Sequence, residues 1–166
     1  EIVARAREVG VDVIGITDHN ASDNVAAIQE AAGDEGPVVL AGIEVQTTED
    51  IHLVTLFQDC EAVRSFQDWL WLKMPPTMNR PEVFGYQVVV DGENQILREE
   101  DVLLIQGAGY AVDEVIREVR SRGGLSIMAH IDRPSFAYPA VLGPVPEELP
   151  VDALELSWRL SPEETE

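Results

Sequence analysis

Three histidines, one glutamate, one aspartate and one arginine carry most of the chemistry open to this chain. His19 ends the run GVDVIGITDH, His52 opens the apolar run HLVTLF, and His130 closes LSIMAH, so every histidine lies at or inside an apolar, strand-like segment. Glu44 sits in AGIEV between apolar neighbours, Asp18 precedes His19, and Asp132 and Arg133 follow His130 closely. A single histidine beside an apolar run is more often a hydrogen-bonded core or rim residue than a metal ligand. A single glutamate is most simply a solvated surface residue. Taken together the residues read differently, because a buried ionisable group needs a partner or an ion to offset its desolvation.

Imidazole and carboxylate together suit Zn, Mn or Fe, and a glutamate can bridge two ions. Cys60 is the only thiol, which excludes a cysteine-rich structural zinc site and favours an open, catalytic one. Asp18 reads either as a plain strand-end cap or as a ligand or an acceptor that orients a ligand ring. Arg133 reads either as an ion-pair partner of Asp132 or as a planar fork for phosphate oxygens. The GAG at Gly107 and Gly109 lacks the spacing of a dinucleotide loop and the lysine of a P-loop, so it reads as a turn. Ser126 and Ser157 have no recognisable nucleophile setting.

These residues must be positioned by alternating helices and strands. Residues 2–9 have the spacing of an amphipathic helix, and residues 11–17 form a β-branched run expected of a strand covered on both faces. Ser22 or Asp23 is expected to cap a helix reaching Ala32. Residues 38–41 and 51–57 read as strands. Residues 62–72 read as a helix with Val63, Phe66, Trp69 and Leu70 in its apolar stripe, Trp71 close by. Pro75, Pro76 and Pro81 make a loop, and Asp91-Gly92 marks a hairpin turn. A helix over 112–122 and strands over 125–130 and 153–157 complete a pattern that predicts a parallel α/β sheet with the hairpin inserted. In such folds ligand sites gather beyond the C-terminal ends of strands.

Composition bounds the partners. The 166 residues, 45% apolar, are expected to form one domain over 1–166, with a loop and hairpin insertion at about 74–98. The net charge of −20 repels a phosphate backbone, so long nucleic acids are poor partners. A small anionic substrate could bind only where metal ions or an arginine reverse the field. No apolar run reaches the length of a membrane span, and the lone cysteine fits a reducing compartment; a cytoplasmic location without membrane association is expected. Nothing in the composition fixes an oligomeric state. The chain opens on Glu1 within a helical pattern and trails off in SPEETE, which leads us to expect a fragment of a longer protein.

The stretches EIVARAREVGVDVIGITDHN, AGIEVQTTEDIHLVTLF, GGLSIMAHIDRPSF and DALELS together resemble the PHP (polymerase and histidinol phosphatase) domain family, most closely its stand-alone metal-dependent phosphoesterases. The resemblance implies a distorted, TIM-like (β/α)7 barrel holding two or three divalent ions (Zn, Mn or Fe) at its strand ends. On this chain the barrel would be partial, lacking its first strand and C-terminal part. The family's HxH motif before the first helix and its Asp-x-His motif after the last strand are both absent.

The same resemblance makes His19, Glu44, His52 and His130 the expected metal ligands, Glu44 the bridging one. Asp18 and Arg133 become the expected catalytic residues, Arg133 also contacting the substrate phosphate. The implied reaction is metal-assisted hydrolysis by water of a phosphomonoester or a small nucleotide or oligonucleotide phosphate ester. An inactive binding or regulatory domain of the same fold and a metal-dependent amidohydrolase are the alternatives. The TDH motif and Arg133 favour phosphate over amide.

Overall fold

A computed structural model describes residues 1–157, so the trailing SPEETE lies outside the described residues. Helix α1 (Ile2–Val9) buries Val3 and Ala6, and Gly10 ends it at φ 72°, the left-handed conformation glycine adopts without strain. Then come β1 (Val13–Ile16), α2 (Val25–Ala32), β2 (Val38–Gln46), β3 (His52–Phe57), α3 (Cys60–Trp71), α4 (Pro81–Phe84), β4 (Val88–Val90) and β5 (Ile96–Glu99). The elements α5 (Val112–Ser121), β6 (Leu125–Met128), α6 (Tyr138–Leu142) and β7 (Ala153–Leu154) complete the order. Among the described residues no helix is long and apolar enough to cross a membrane.

The result is a mixed α/β fold whose main sheet runs in the order β1-β2-β3-β6-β7. The expected all-parallel sheet is corrected here. β1 pairs parallel with β2 and β6 with β7, whereas β3 is antiparallel to both β2 and β6. A parallel crossover needs about a dozen residues or more, and only residues 47–51 separate β2 from β3. That connection closes as a tight turn, with the Thr47 amide donating to the Ile51 carbonyl (2.9 Å) and the Asp50 amide to the Thr47 carbonyl (3.1 Å). The reversal brings the start of β3 to the sheet edge where β1, β2 and β6 end.

Strand β2 is longer than the expected 38–41, and Glu44 lies inside it rather than after it. Gly42 allows this. A Cβ there would stand 2.4 Å from the Thr55 carbonyl oxygen of β3, so only glycine lets the two strands approach at this point.

Alternation along β2 and β3 separates two faces. On one, Ala41, Ile43 and Val45 join Leu53 and Phe57 in the core, against Val63, Phe66 and Leu70 of α3 and Val115, Ile116 and Val119 of α5. The other face carries Leu40, Val54, Leu56 and Ile127, half-buried, together with Glu44 and His52.

Three local expectations change. The first residue before α2 is Asn24, because Ser22 and Asp23 are bound elsewhere: Ser22 to Gln67 and Asp23 to Gln67 and Arg98. Helix α3 begins at Cys60, since the Asp59 side chain accepts from the Ala62 amide (2.9 Å) as a cap. The proline-rich stretch holds the short helix α4, with Pro81 at its first position, where its missing N–H costs nothing. The hairpin β4-β5 forms its own two-stranded sheet, turned by the Asp91 carboxylate accepting from the amides of Glu93 (3.0 Å) and Gln95 (2.8 Å).

Candidate metal centre

The segment Asp18-His19-Asn20 continues the β1 ladder beyond its last regular residue. The Glu44 amide donates to the Asp18 carbonyl (3.1 Å), and the Asn20 amide donates to the Glu44 carbonyl (3.0 Å). His19 is thereby held directly beside Glu44 as a parallel bridge partner. Asn20 is fully buried at φ 51°, a conformation in which asparagine is enriched. Its amide group donates to the carbonyls of Leu104 (2.7 Å) and Gln106 (2.8 Å), and its side-chain oxygen accepts from the Gln46 amide (3.2 Å). The Trp71 indole N–H donates to the Asn20 carbonyl at 2.8 Å. Asn20 therefore locks the strand end to α3 and to the segment before α5. The sequence reading missed it; its signal was an asparagine placed where an apolar run stops.

Around Glu44 the three histidines converge. His52 Nδ1 lies 3.2 Å from Glu44 Oε1, His19 Nδ1 3.4 Å from Glu44 Oε2, and His130 Nε2 3.7 Å from Glu44 Oε1. The rings form a row, with centroids 5.0 Å apart for His19 and His52 and 5.2 Å apart for His52 and His130. Between the last two, His130 Nε2 is 3.2 Å from His52 Nδ1. The ligand atoms of His19, Glu44 and His52 all lie within 4.8 Å of one another, a possible metal-binding triad that His130 adjoins.

Burial pushes the Glu44 carboxyl up, but the hydrogen bond with His52 and the fields of the three histidines outweigh it and hold the carboxyl below its ordinary range. Burial, then the Arg133 guanidinium and His52, push the His130 imidazole down. Both shifts favour an ionised carboxylate beside a neutral ring, the protonation states that bind divalent ions.

The donor set fits such an ion. His19 Nδ1, His52 Nε2 and His130 Nδ1 are buried without a hydrogen-bond partner among the described residues. Orphaned buried polar atoms are costly in a folded protein; His19 Nδ1 is the one that faces Glu44, while those of His52 and His130 lie on the other side of their rings from the carboxylate.

His130 itself stands at φ 32°, outside the usual range for a side-chain-bearing residue. Its amide donates to Glu155 Oε2 (3.1 Å), and the His52 amide donates to the Phe136 carbonyl (2.9 Å). The Phe136 ring stacks on His52 with centroids 4.6 Å apart. Glu155 and Phe136 were missed in the sequence, the first hidden in the alternation of ALELS, the second in an irregular loop.

Arg133 is exposed and forms no ion pair among the described residues. Asp132, the partner that would have occupied it, instead accepts from the Ser157 amide (2.9 Å). Arg133 and His130 line one cleft together with Glu155. Asp18 is exposed, and its carboxylate accepts from the Asn24 side chain (3.1 Å) rather than from a histidine ring. It lines a second cleft, on the His19 side of the cluster.

No family model matches the chain, and no curated protein matches it. Among solved structures the fold is similar to the crystal structure of a "putative metal-dependent phosphoesterase" from Bifidobacterium adolescentis, with TM-score 0.58 and 18% identity, over 93% of this chain and 70% of that one. At that identity the likeness shows the fold alone, which is compatible with part of a TIM-like barrel.

Proposed function

We propose that this chain is the core of a metal-dependent phosphoesterase of PHP type, hydrolysing a phosphomonoester or a small nucleotide or oligonucleotide phosphate ester. Its sheet would form part of a distorted (β/α)7 barrel, and its partner would be a small phosphorylated substrate. The observation that carries this reading is the convergence of three histidines on one carboxylate. The structural neighbour, named for metal-dependent phosphoesterase activity, supports it.

His19, Glu44, His52 and His130 would hold two or three divalent ions, Zn, Mn or Fe. Bound there, such ions lower the pKa of water and stabilise charge on phosphoryl oxygens. The chain supplies the rest. Glu44 offers one oxygen towards His19 and the other towards His52 and His130, as expected of a bridging carboxylate. Asn20 and Phe136 hold the backbone beside His19 and the ring of His52. Arg133, with no competing ion pair among the described residues, would bind a non-bridging phosphate oxygen through a charge-assisted bond. That free guanidinium favours a phosphate over an amide substrate.

The test is elemental analysis for Zn, Mn and Fe after loading, followed by a screen of phosphate esters against amides. Metal uptake that falls with Glu44→Ala, together with ester hydrolysis, supports the proposal. A folded chain that takes up no ion overturns it in favour of a binding domain, and turnover of amides alone overturns it in favour of an amidohydrolase.

A further inference from the structure

Two clefts flank the histidine row at its opposite ends, and they differ in chemistry. His130 opens onto the Arg133 cleft and His19 onto the other, with His52 between. The His19 cleft has a volume of about 300 Å³, the Arg133 cleft about 610 Å³. Asp18 lines it together with Phe84, Tyr86, Val88, Leu104 and Ile105, which supply an apolar and aromatic surface.

Among the described residues, lysine and arginine are absent from this lining. Arg98 and Arg80 stand beside it and both are engaged: Arg98 is 2.6 Å from Asp23 and 2.6 Å from Glu100, two carboxylates that also line the cleft, and the Arg80 guanidinium lies 5.7 Å from the centre of the lining Phe84 ring. Asp18 is thus the one lining carboxylate without an ion-pair partner among the described residues.

The walls are fixed in place. Asn24 donates to Asp18 (3.1 Å) and to the Val88 carbonyl (3.2 Å) and accepts from the Val90 amide (3.0 Å), joining the histidine loop to strand β4. Gln87 donates to the carbonyls of Glu100 (3.0 Å) and Val102 (2.8 Å) and accepts from the Leu104 amide (2.8 Å), which closes the far side.

We infer that this cleft receives the alcohol side of the ester, and that it selects an aromatic or apolar group bearing a positive charge or hydrogen-bond donors, against one bearing a second anionic group. The inference rests on the phosphoesterase reading for the word ester, while the preference of the cleft rests on its own walls. An apolar surface with one uncompensated carboxylate attracts a cation on an aromatic body and repels an anion. The division of labour follows. Arg133 faces the phosphate from one end of the row, and the hairpin insertion reads the remainder from the other.

The test uses the full chain, free of metal, so that no ion competes for the anionic probe. Tyramine and 4-hydroxyphenylacetate, aromatic twins of opposite charge, are titrated while backbone amide resonances are followed. Tyramine is expected to shift Tyr86, Val88 and Ile105 and to bind about fivefold more tightly than its anionic twin, the size of an exposed ion pair. Asp18→Asn, which keeps a side chain able to bond Asn24, should abolish the preference, and Tyr86→Ala, at an exposed position, should weaken both probes. Equal affinities, a preference for the anion, or shifts confined to residues outside the cleft would overturn the inference. A cleft that discriminates as expected in a protein that hydrolyses no ester after metal loading would sink the phosphoesterase reading and leave the site standing.

Discussion

Glu44 and His52 meet across an antiparallel ladder, Oε1 of one 3.2 Å from Nδ1 of the other. Glu44 is opposite Val54 in register, and His52 is opposite Gln46, so the two side chains are diagonal neighbours on one face of the sheet. A parallel β3 would have carried His52 to the far edge. The tight turn over 47–51 is what makes a single cluster out of residues from the ends of β1, β2, β3 and β6.

That geometry predicts the metal requirement. Glu44→Ala removes the carboxylate that contacts all three rings, and His52→Ala removes the central ring of the row. Each is expected to weaken ion binding by about 100-fold or more, the upper range for loss even of a supporting residue. Competition with a chromogenic chelator measures it; unchanged affinity in both variants would remove the cluster from consideration as the metal site.

Asn20 is expected to matter more for stability than for binding. Asn20→Ala leaves the Leu104 and Gln106 carbonyls and the Gln46 amide without their partner and puts alanine at φ 51°. The cost should be about 2–4 kcal/mol, read as a lower denaturant midpoint. Asn20→Asp keeps the acceptor but sets a buried carboxylate oxygen against the Leu104 and Gln106 carbonyls, and should cost more than alanine.

Acid should destabilise the metal-free protein. Glu44 and His130 both have lowered pKa values in the folded state. In each case the unfolded chain takes up a proton before the folded one, so stability rises with pH across the shifted range. The His130 contribution is lost as pH falls below its ordinary value of 6.5, and that of Glu44 as pH falls below 4.5. Denaturant midpoints between pH 7 and 4 test this. His130→Gln should flatten the upper part of the decline; a profile flat over the whole range would contradict the electrostatic account of the cluster.

Arg133→Ala should leave the fold intact, because the side chain is exposed and unpaired among the described residues. On phosphate esters kcat/KM should drop about 10- to 100-fold, the value of one charge-assisted hydrogen bond. Arg133→Lys should recover only part of it, since a lysine keeps the charge without the planar fork. Unaltered kinetics in both would assign the phosphate to another group.

Local patterning was enough to name the ingredients. Apolar periodicity placed most strands and helices to within a few residues, because burial of a face dictates where apolar side chains recur. The placing of every histidine at an apolar run singled out the residues that cluster, for a buried imidazole needs company. What it left open was set by strand pairing and by long-range bonds. The antiparallel course of β3, the extension of β2 through Gly42, and the release of Arg133 from Asp132 depend on contacts distant in sequence. Asn20 has no local sign of its partners, yet it bonds Leu104 and Gln106, more than eighty positions away. Local sequence encodes which residues seek burial; only the tertiary structure decides which carboxylate, ring and amide they find there.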